Sequence, residues 1–198
     1  MRGAGHCGAR KYASRVARGR RLAVRRYSAV MIEDASDAAL HAIAERVGRA
    51  AREHHHMLVT AESCTAGWIA KTLTDVAGSS GWFDCGMAAY SYEAKQAMLG
   101  VRPETLEHHG AVSRETVIEM VSGALVHSGA TLAVAVTGIA GPGGGTDDKP
   151  VGSVWIAWKR RGGYPMAEAY QFAGDREDVR RQTVAAALRG LEALAAAA

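Results

Sequence analysis

The chain has 198 residues, of which 48% are hydrophobic and 22% are charged, so it can bury the core of one domain. Three cysteines exclude a miniprotein held together by disulfides, and the apolar content argues against a fully disordered chain. The formal net charge of +4 conceals an asymmetry. Nine of the 24 basic residues and none of the 20 acidic ones lie in residues 1–30.

This basic segment, residues 1–30, leaves several interpretations open. It resembles an Arg-rich targeting segment, and as an arm it could touch nucleic acid or an anionic surface. It could also be a disordered extension or the product of a misassigned start, because Met31 opens an ordinary acidic helix. We expect residues 31–198 to form the folded domain, and a protein that begins at Met31 to fold and act unaided. Outside the basic segment we expect no contact with nucleic acid.

Hydrophobic periodicity and turn residues predict strands alternating with helices. The first half of the chain is predicted to hold a helix over 34–53, a strand over 57–61, a helix over 64–76 and a strand over 82–91. Three helices follow: a short one from Glu93, another from Pro103 to about Gly110, and one from the N-cap Ser113 to about His127. The rest is predicted as a strand over 131–137, a loop over 138–150, a hairpin of strands over 151–159 and 165–172, and a last helix that begins at Asp175 and Asp178. This order indicates an α/β fold, a three-layer α/β/α sandwich. The hairpin makes its central sheet mixed.

Ser63 is the first candidate for chemistry, since it lies between the strand over 57–61 and a helix predicted to start near Cys64. Ligands bind at the carboxyl edge of such sheets. The free N–H groups at the start of the helix, at Cys64 and Thr65, would stabilise an oxyanion. An ordinary N-cap serine is the alternative, and Cys64 is a rival nucleophile. Glu62 could orient a neighbouring group or cap the helix.

Lys95 is the second candidate, because it follows a strand and lies in a first helical turn, where cations are disfavoured. It is either a solvated surface lysine or a buried general base. In the second case burial must lower its pKa, since an ordinary lysine is protonated at neutral pH. Tyr90 and Tyr92 flank the same junction and would share a face if the strand continued.

A glycine-rich loop follows the strand that ends at Thr137. Its backbone N–H groups could meet an anion such as a phosphate, with Gly138, Gly141, Gly143 and Gly144 as the candidate contacts. The loop is neither a Walker A motif nor a Rossmann fingerprint, and a plain flexible loop is the alternative. Further on, Arg176 or Arg180 could add a side-chain contact, although a capped helix start is the other interpretation of that segment.

Metals and membranes find little support in the sequence. The histidines of 54–56 are consecutive and point in different directions, and no HxxxH or CxxC spacing occurs, so we expect no metal. Residues 120–146 lack charge, but polar residues and glycines interrupt them; we interpret them as the end of one buried element and the start of another. Three cysteines without obvious partners suit a reducing compartment, which favours a cytoplasmic location.

Five motifs, in this order and at these separations, resemble one family. They are AESCTAG (61–67), YSYEAK (90–95), GAVSRET (110–116), TGIAGPGGGTDDKPVGSVWIA (137–157) and FAGDREDVR (172–180). The chain is similar over residues 36–195 to the CinA carboxyl-terminal domain family, whose enzymatic members are nicotinamide-mononucleotide deamidases, also called amidohydrolases. The resemblance implies a three-layer α/β/α fold, commonly a dimer, and hydrolysis of the nucleotide carboxamide to nicotinate mononucleotide and ammonia.

The resemblance also assigns roles to residues. It makes Ser63 the nucleophile and Lys95 its base, with Tyr90 and Thr137 as supporting polar groups. This scheme requires neither a metal nor an organic cofactor. A non-catalytic nucleotide-binding or partner-binding module of the same fold is the alternative.

Two positions depart from the family pattern. Ala66 stands where glycine is usual, a change that we expect to be mild because alanine suits a helix better than glycine does. Tyr92 replaces a usual asparagine and alters size and hydrogen bonding beside the predicted site.

Overall fold

The structure is a computed structural model that describes residues 34–197; the interpretations of residues 1–30 lie outside the described residues. The helices are α1 (Asp37–Glu53), α2 (Trp68–Thr74), α3 (Tyr92–Leu99), α4 (Pro103–His109), α5 (Arg114–Val126) and α6 (Arg176–Ala196). The strands are β1 (Leu58–Glu62), β2 (Phe83–Ala88), β3 (Leu132–Gly138), β4 (Ser153–Arg160) and β5 (Met166–Gln171). A single 3₁₀ turn, Ser79–Gly81, precedes β2.

The five strands form one mixed sheet in the order β2-β1-β3-β4-β5. Strands β2, β1 and β3 are parallel, whereas β4 pairs antiparallel with both β3 and β5. The predicted hairpin and mixed sheet are therefore confirmed. Because parallel strands end at the same edge, the carboxyl ends of β1 and β3 lie side by side, with Glu62 opposite Val136.

Helices cover both faces of the sheet, which confirms the three-layer fold. Leu58, Val134 and Ile156 face one core together with apolar residues of α1, α2 and α6. Val59 and Ala133, their neighbours along the strands, face a second core with residues of α3, α4 and α5. Alternation of side chains along each strand produces this separation.

Side-chain caps fix where the helices begin. Ser113 accepts a hydrogen bond from Thr116 N at the start of α5, as the sequence predicts. The predicted capping box of Asp175 and Asp178 is present at the start of α6. Ser91, which was not singled out from the sequence, caps α3, and β2 ends at Ala88, so the predicted strand over 82–91 is too long by three residues at its end.

The uncharged stretch over 120–146 is accounted for by the fold. It holds the end of α5, all of β3 and the start of the following loop, as predicted. Within residues 34–197 none of the helices combines the length and the apolar character required to cross a bilayer.

Helix α3 lies close against α5 because Gly123 carries no side chain there. A Cβ atom at this position would overlap the backbone carbonyl of Leu99, at the end of α3. Helix α3 also carries Lys95, so the close approach of the two helices concerns the element that holds the lysine.

We expect Gly123→Ala to lower the free energy of unfolding by about 2 kcal/mol, because overpacking outweighs the gain of about 1 kcal/mol in helix propensity. Urea unfolding measures the change. Gly81→Ala is the matched control, since a Cβ atom there meets nothing within 4 Å. Equal stability of the two variants would contradict the close approach.

Candidate active site

Ser63 and Lys95 meet at the carboxyl edge of the sheet. Ser63 directly follows β1, and Lys95 projects from the first turn of α3. The Nζ atom of Lys95 lies 2.9 Å from the Oγ atom of Ser63. Both side chains are buried: Lys95 is 1% exposed and Ser63 is 8% exposed. A solvated surface lysine is therefore the wrong interpretation of Lys95.

The Lys95 amine has three partners. Besides Ser63 Oγ, the Nζ atom lies 3.0 Å from the backbone oxygens of Ala89 and of Tyr90. A neutral amine has two N–H donors and one lone pair. With both donors given to the two carbonyls, the lone pair is left for the hydroxyl proton of Ser63. Burial lowers the pKa of Lys95 from its ordinary value of 10.5, which favours this neutral form.

Cys64 is a poor rival nucleophile. Its side chain is buried, and this burial, with a smaller contribution from the Glu62 carboxylate, raises the pKa of the thiol to about 12. The thiol is therefore protonated at neutral pH, whereas nucleophilic attack needs the thiolate.

The side chain that caps helix α2 is Glu62 and not Ser63. Helix α2 begins at Trp68, four residues later than predicted, and its N-cap is Gly67, which has no side chain. The buried Glu62 carboxylate takes its place by accepting hydrogen bonds from Gly67 N, Ile69 N and Ala70 N. The N-cap interpretation of Ser63 is therefore wrong, and the capping interpretation of Glu62 is confirmed.

The cap does not occupy the N–H groups of Cys64 and Thr65, which the sequence predicts as oxyanion donors. The carboxylate of Glu62 binds the N–H groups of Ile69 and Ala70, at the start of α2, instead. Cys64 and Thr65 lie before the helix, and their N–H groups bind no oxygen acceptor within residues 34–197. These two N–H groups remain as the donors nearest to Ser63 in the chain.

Thr137 stands beside Ser63 on the neighbouring strand. The Ser63 N–H donates to the Val136 carbonyl at 3.1 Å, which places the next residue of β3, Thr137, alongside the serine. The Thr137 hydroxyl donates to the Ala111 carbonyl at 2.8 Å, and the Tyr92 hydroxyl accepts from the Ala111 N–H at 3.3 Å. Thr137 and Tyr92 thus hold opposite sides of the same residue.

Tyr90 and Tyr92 do not share a strand face. Tyr92 starts α3, and the Tyr90 side chain is 60% exposed. The Tyr90 hydroxyl accepts a hydrogen bond from Arg176 Nη2 at 3.2 Å, while Arg176 Nη1 donates to the Gly141 carbonyl at 2.7 Å. Arg176 thereby joins the tyrosine to the glycine-rich loop.

A crevice of about 690 Å³ lies between this loop and the start of α6. Arg176 and Arg180 both line it and both reach residues of the site. Arg180 gives its Nε and Nη2 donors to the carbonyls of Cys64 and Thr65, at 3.1 Å and 2.9 Å. These contacts use two of the five N–H donors of the guanidinium, so the phosphate contact considered for Arg180 stays a prediction.

The four predicted glycine contacts lie in different environments. Gly138 is the last residue of β3, opposite Val154, and a Cβ atom there would lie 2.6 Å from Val154 Cγ2. Gly141 has a φ of +83°, which favours glycine. Gly143 and Gly144 are exposed, and their N–H groups have no acceptor among the residues that the structure describes.

Metal ligands are absent from the described part of the chain: over 34–197 no group of three or more His, Cys, Asp or Glu side chains could hold an ion. The sequence did not indicate that Arg180 contacts Cys64 and Thr65 or that Tyr92 contacts Ala111. The recognisable signal for the first was the FAGDREDVR motif, which contains Arg180 but does not identify its partners.

The protein is thus a three-layer α/β sandwich that carries a buried serine–lysine pair at the carboxyl edge of its sheet. The chain belongs to the CinA C-terminal domain family, whose sequence model matches residues 40–195.

Relatives and solved structures agree with this membership. The nicotinamide-nucleotide amidohydrolase PncC of Escherichia coli (strain K12) is 50% identical over 156 residues, which are 79% of this chain and 94% of that protein. A CinA-like protein of Akkermansia muciniphila is 53% identical over 132 residues, 67% of this chain but 32% of the longer relative. The crystal structure of the competence/damage inducible protein CihA from Agrobacterium tumefaciens superposes with a TM-score of 0.77 at 46% identity, covering 79% of this chain and 95% of that one.

Ala66 lies in a turn with a left-handed φ of +53°, so the expected benefit of alanine in a helix does not apply. We predict that Ala66→Gly stabilises the protein by about 1 kcal/mol. The reason is that left-handed backbone costs a non-glycine residue about 1–2 kcal/mol, more than the entropy that glycine adds to the unfolded chain. Thermal unfolding measures the effect. Ala42→Gly, at an exposed position inside α1, should instead destabilise by about 1 kcal/mol; a matching loss at Ala66 would contradict the argument.

Proposed function

We propose that this protein is a nicotinamide-nucleotide amidohydrolase that converts nicotinamide mononucleotide to nicotinate mononucleotide and ammonia, a step of pyridine nucleotide salvage. The observation that carries the proposal is the buried contact of 2.9 Å between Lys95 Nζ and Ser63 Oγ. Support comes from PncC of E. coli, which carries this activity in its name and is 50% identical over 94% of its length.

The chemistry begins with acylation of Ser63. The lone pair of neutral Lys95 takes the hydroxyl proton, and Ser63 Oγ attacks the carboxamide carbon of the substrate. The tetrahedral intermediate then expels its nitrogen, which leaves as ammonia after receiving the proton held by Lys95. An ester between Ser63 and the pyridine carboxylate remains.

Water completes the reaction. Lys95, neutral again, takes a proton from a water molecule, whose oxygen attacks the ester carbon. The bond to Ser63 Oγ breaks, the serine recovers its proton from Lys95, and the carboxylic acid product leaves. One amide and one water are consumed, and one acid and one ammonia are formed.

Supporting groups follow from the geometry around this pair. The N–H groups of Cys64 and Thr65, which bind no oxygen acceptor of the described residues, would stabilise the oxyanion in both tetrahedral intermediates. Thr137, beside the serine, and Tyr90, which Arg176 holds, are the polar side chains that border the substrate. The exposed N–H groups of Gly143 and Gly144 are suited to the substrate phosphate.

Dimer formation and a cytoplasmic location stay predictions. The first is implied by the family resemblance, and the second follows from the cysteine content of the sequence.

Ammonia release tests the function. We expect the wild-type protein to deamidate nicotinamide mononucleotide and to act about 100- to 10,000-fold less efficiently on nicotinamide riboside, measured as kcat/KM. The riboside lacks the phosphate, and two charged hydrogen bonds of about 1.5–3 kcal/mol each would be lost with it. Ser63→Ala should abolish the reaction, while Cys64→Ala should retain it.

Three outcomes would contradict these assignments. No ammonia from the nucleotide would support a non-catalytic binding module of the same fold. Activity in Ser63→Ala would show that Ser63 is not the nucleophile. Equal kcat/KM for the nucleotide and the riboside would show that the glycine-rich loop does not bind the substrate phosphate.

The pH dependence tests Lys95 as the base. We expect kcat/KM to rise with pH because only the neutral amine can accept the Ser63 proton. Burial lowers the pKa of Lys95, so the midpoint should fall below 10.5. Between this lowered value and the ordinary one the unfolded chain binds more protons, so stability contributed by Lys95 also rises with pH across the same window.

Arginine provides the decisive substitution, since it keeps the charge but stays protonated. We expect Lys95→Arg to lower kcat by about 100-fold or more and to abolish the rise of kcat/KM with pH. Lys159→Arg is the matched control, because the Lys159 amine also lies 3.0 Å from a serine hydroxyl, that of Ser122 on α5. Substantial activity in Lys95→Arg would mean that Lys95 acts only as a fixed charge.

A further inference from the structure

The segment Ser63–Gly67, here called the nucleophile turn, is held by contacts on two sides. It is not helical, and two successive residues, Ala66 and Gly67, have left-handed φ values of 53° and 96°. Inside the turn, the Ala66 N–H donates to the Ser63 carbonyl at 3.2 Å. This sparse internal bonding leaves the conformation of the turn dependent on residues outside it.

Glu62 holds the turn from the N–H side. Its carboxylate is 1% exposed and has no cationic partner among the described residues. Five donors surround its two oxygens instead: the hydroxyls of Thr60 and Thr65 and the N–H groups of Gly67, Ile69 and Ala70. Two of these donors belong to the nucleophile turn and two to the first turn of α2, so the carboxylate joins the turn to the helix.

Arg180 holds the turn from the carbonyl side. Its guanidinium binds the carbonyls of Cys64 and Thr65 and lies over the Trp68 ring, 4.9 Å from the ring centroid. In a trans peptide the C=O and the following N–H point in opposite directions. By holding the Cys64 carbonyl, Arg180 therefore points the Thr65 N–H away from itself and keeps it available for a substrate.

We propose that Glu62 and Arg180 are positioning residues for amide hydrolysis, which together fix the nucleophile turn with Ser63 toward Lys95 and the Cys64 and Thr65 N–H groups free. This inference rests on the proposed function. Neither side chain bonds to Ser63 Oγ or Lys95 Nζ within the described residues. Both therefore act on the transition state through the turn, and their loss lowers kcat while leaving KM nearly unchanged.

Two substitutions weaken or remove the contacts of Glu62 and Arg180 with the nucleophile turn, with little change in side-chain volume. Glu62→Gln replaces one carboxylate oxygen by an NH₂ group, which cannot accept from a donor such as Ala70 N. Arg180→Met removes both carbonyl contacts but keeps an apolar chain over Trp68. For each we expect kcat to fall about 10- to 100-fold with KM within about threefold. Arg180→Lys, which keeps one charged donor group, should recover part of the loss.

Matched controls separate positioning from plain stability. Arg181→Met removes the neighbouring arginine, which lies over the same Trp68 ring at 5.0 Å but pairs with Asp37 and Glu177. Glu119→Gln removes another carboxylate with several donors, among them Arg102 and Thr105. Both controls should lower Tm and leave kcat within about twofold of the wild type.

A fluorophosphonate probe gives a readout that does not depend on the nucleotide. The Ser63 oxygen bonds to phosphorus as fluoride leaves, and the hydroxyl proton passes to Lys95. The phosphonyl oxygen then occupies the place of the oxyanion. Labelling of Ser63, measured by intact mass against time, should slow in Glu62→Gln and Arg180→Met by the same factor as kcat.

A double-mutant cycle in kcat completes the test. Because both residues act through one turn, the double variant should lose much less than the product of the two single losses. Wild-type kcat and labelling rates in both single variants, with only a lowered Tm, would overturn the inference. So would two fully multiplicative losses. A different result is possible: the wild type releases no ammonia from the nucleotide, but labelling of Ser63 is still slower in the two variants than in the wild type. That result would contradict the proposed substrate and support the positioning role of Glu62 and Arg180.

Discussion

The buried amine of Lys95 imposes the constraint on which the rest of the site depends. Taken out of water, it needs partners inside the protein, and it finds two carbonyls and the Ser63 hydroxyl. Three requirements follow: the chain must leave β2 without pairing two of its carbonyls, Ser91 must start α3 at once, and Gly123 must let α3 approach α5. The burial of the Lys95 amine is thus a consequence of how the second core is packed.

Ser63, the proposed nucleophile, has the opposite requirement, because its hydroxyl must not be used to cap a helix. A serine after a strand and before a helix would ordinarily cap that helix. Here the adjacent Glu62 carboxylate caps α2, and residues 63–67 form a turn instead of a first helical turn. The left-handed backbone at Ala66 belongs to this arrangement, at a position where the resembled family often has glycine.

The relatives place the domain in two settings. It makes up nearly the whole of the E. coli amidohydrolase and about a third of the longer A. muciniphila protein. A fold shared between such settings does not determine activity, whereas the serine–lysine geometry and its supporting contacts are specific chemical features. Those contacts come from both helical layers: Lys95 lies on one side of the sheet and Arg180 on the other.

The sequence by itself determined the order of strands and helices, the hairpin that makes the sheet mixed, and Ser63 and Lys95 as candidates. These follow from local periodicity, turn residues and the position of polar residues at strand ends, all of which are written in neighbouring positions. Only the tertiary structure decided that Glu62 rather than Ser63 caps α2, that Arg180 binds backbone 115 residues away, and that Tyr92 and Thr137 hold Ala111. The physical reason is that a buried polar group takes whichever partner the packed layers bring within reach, and no local pattern records that choice.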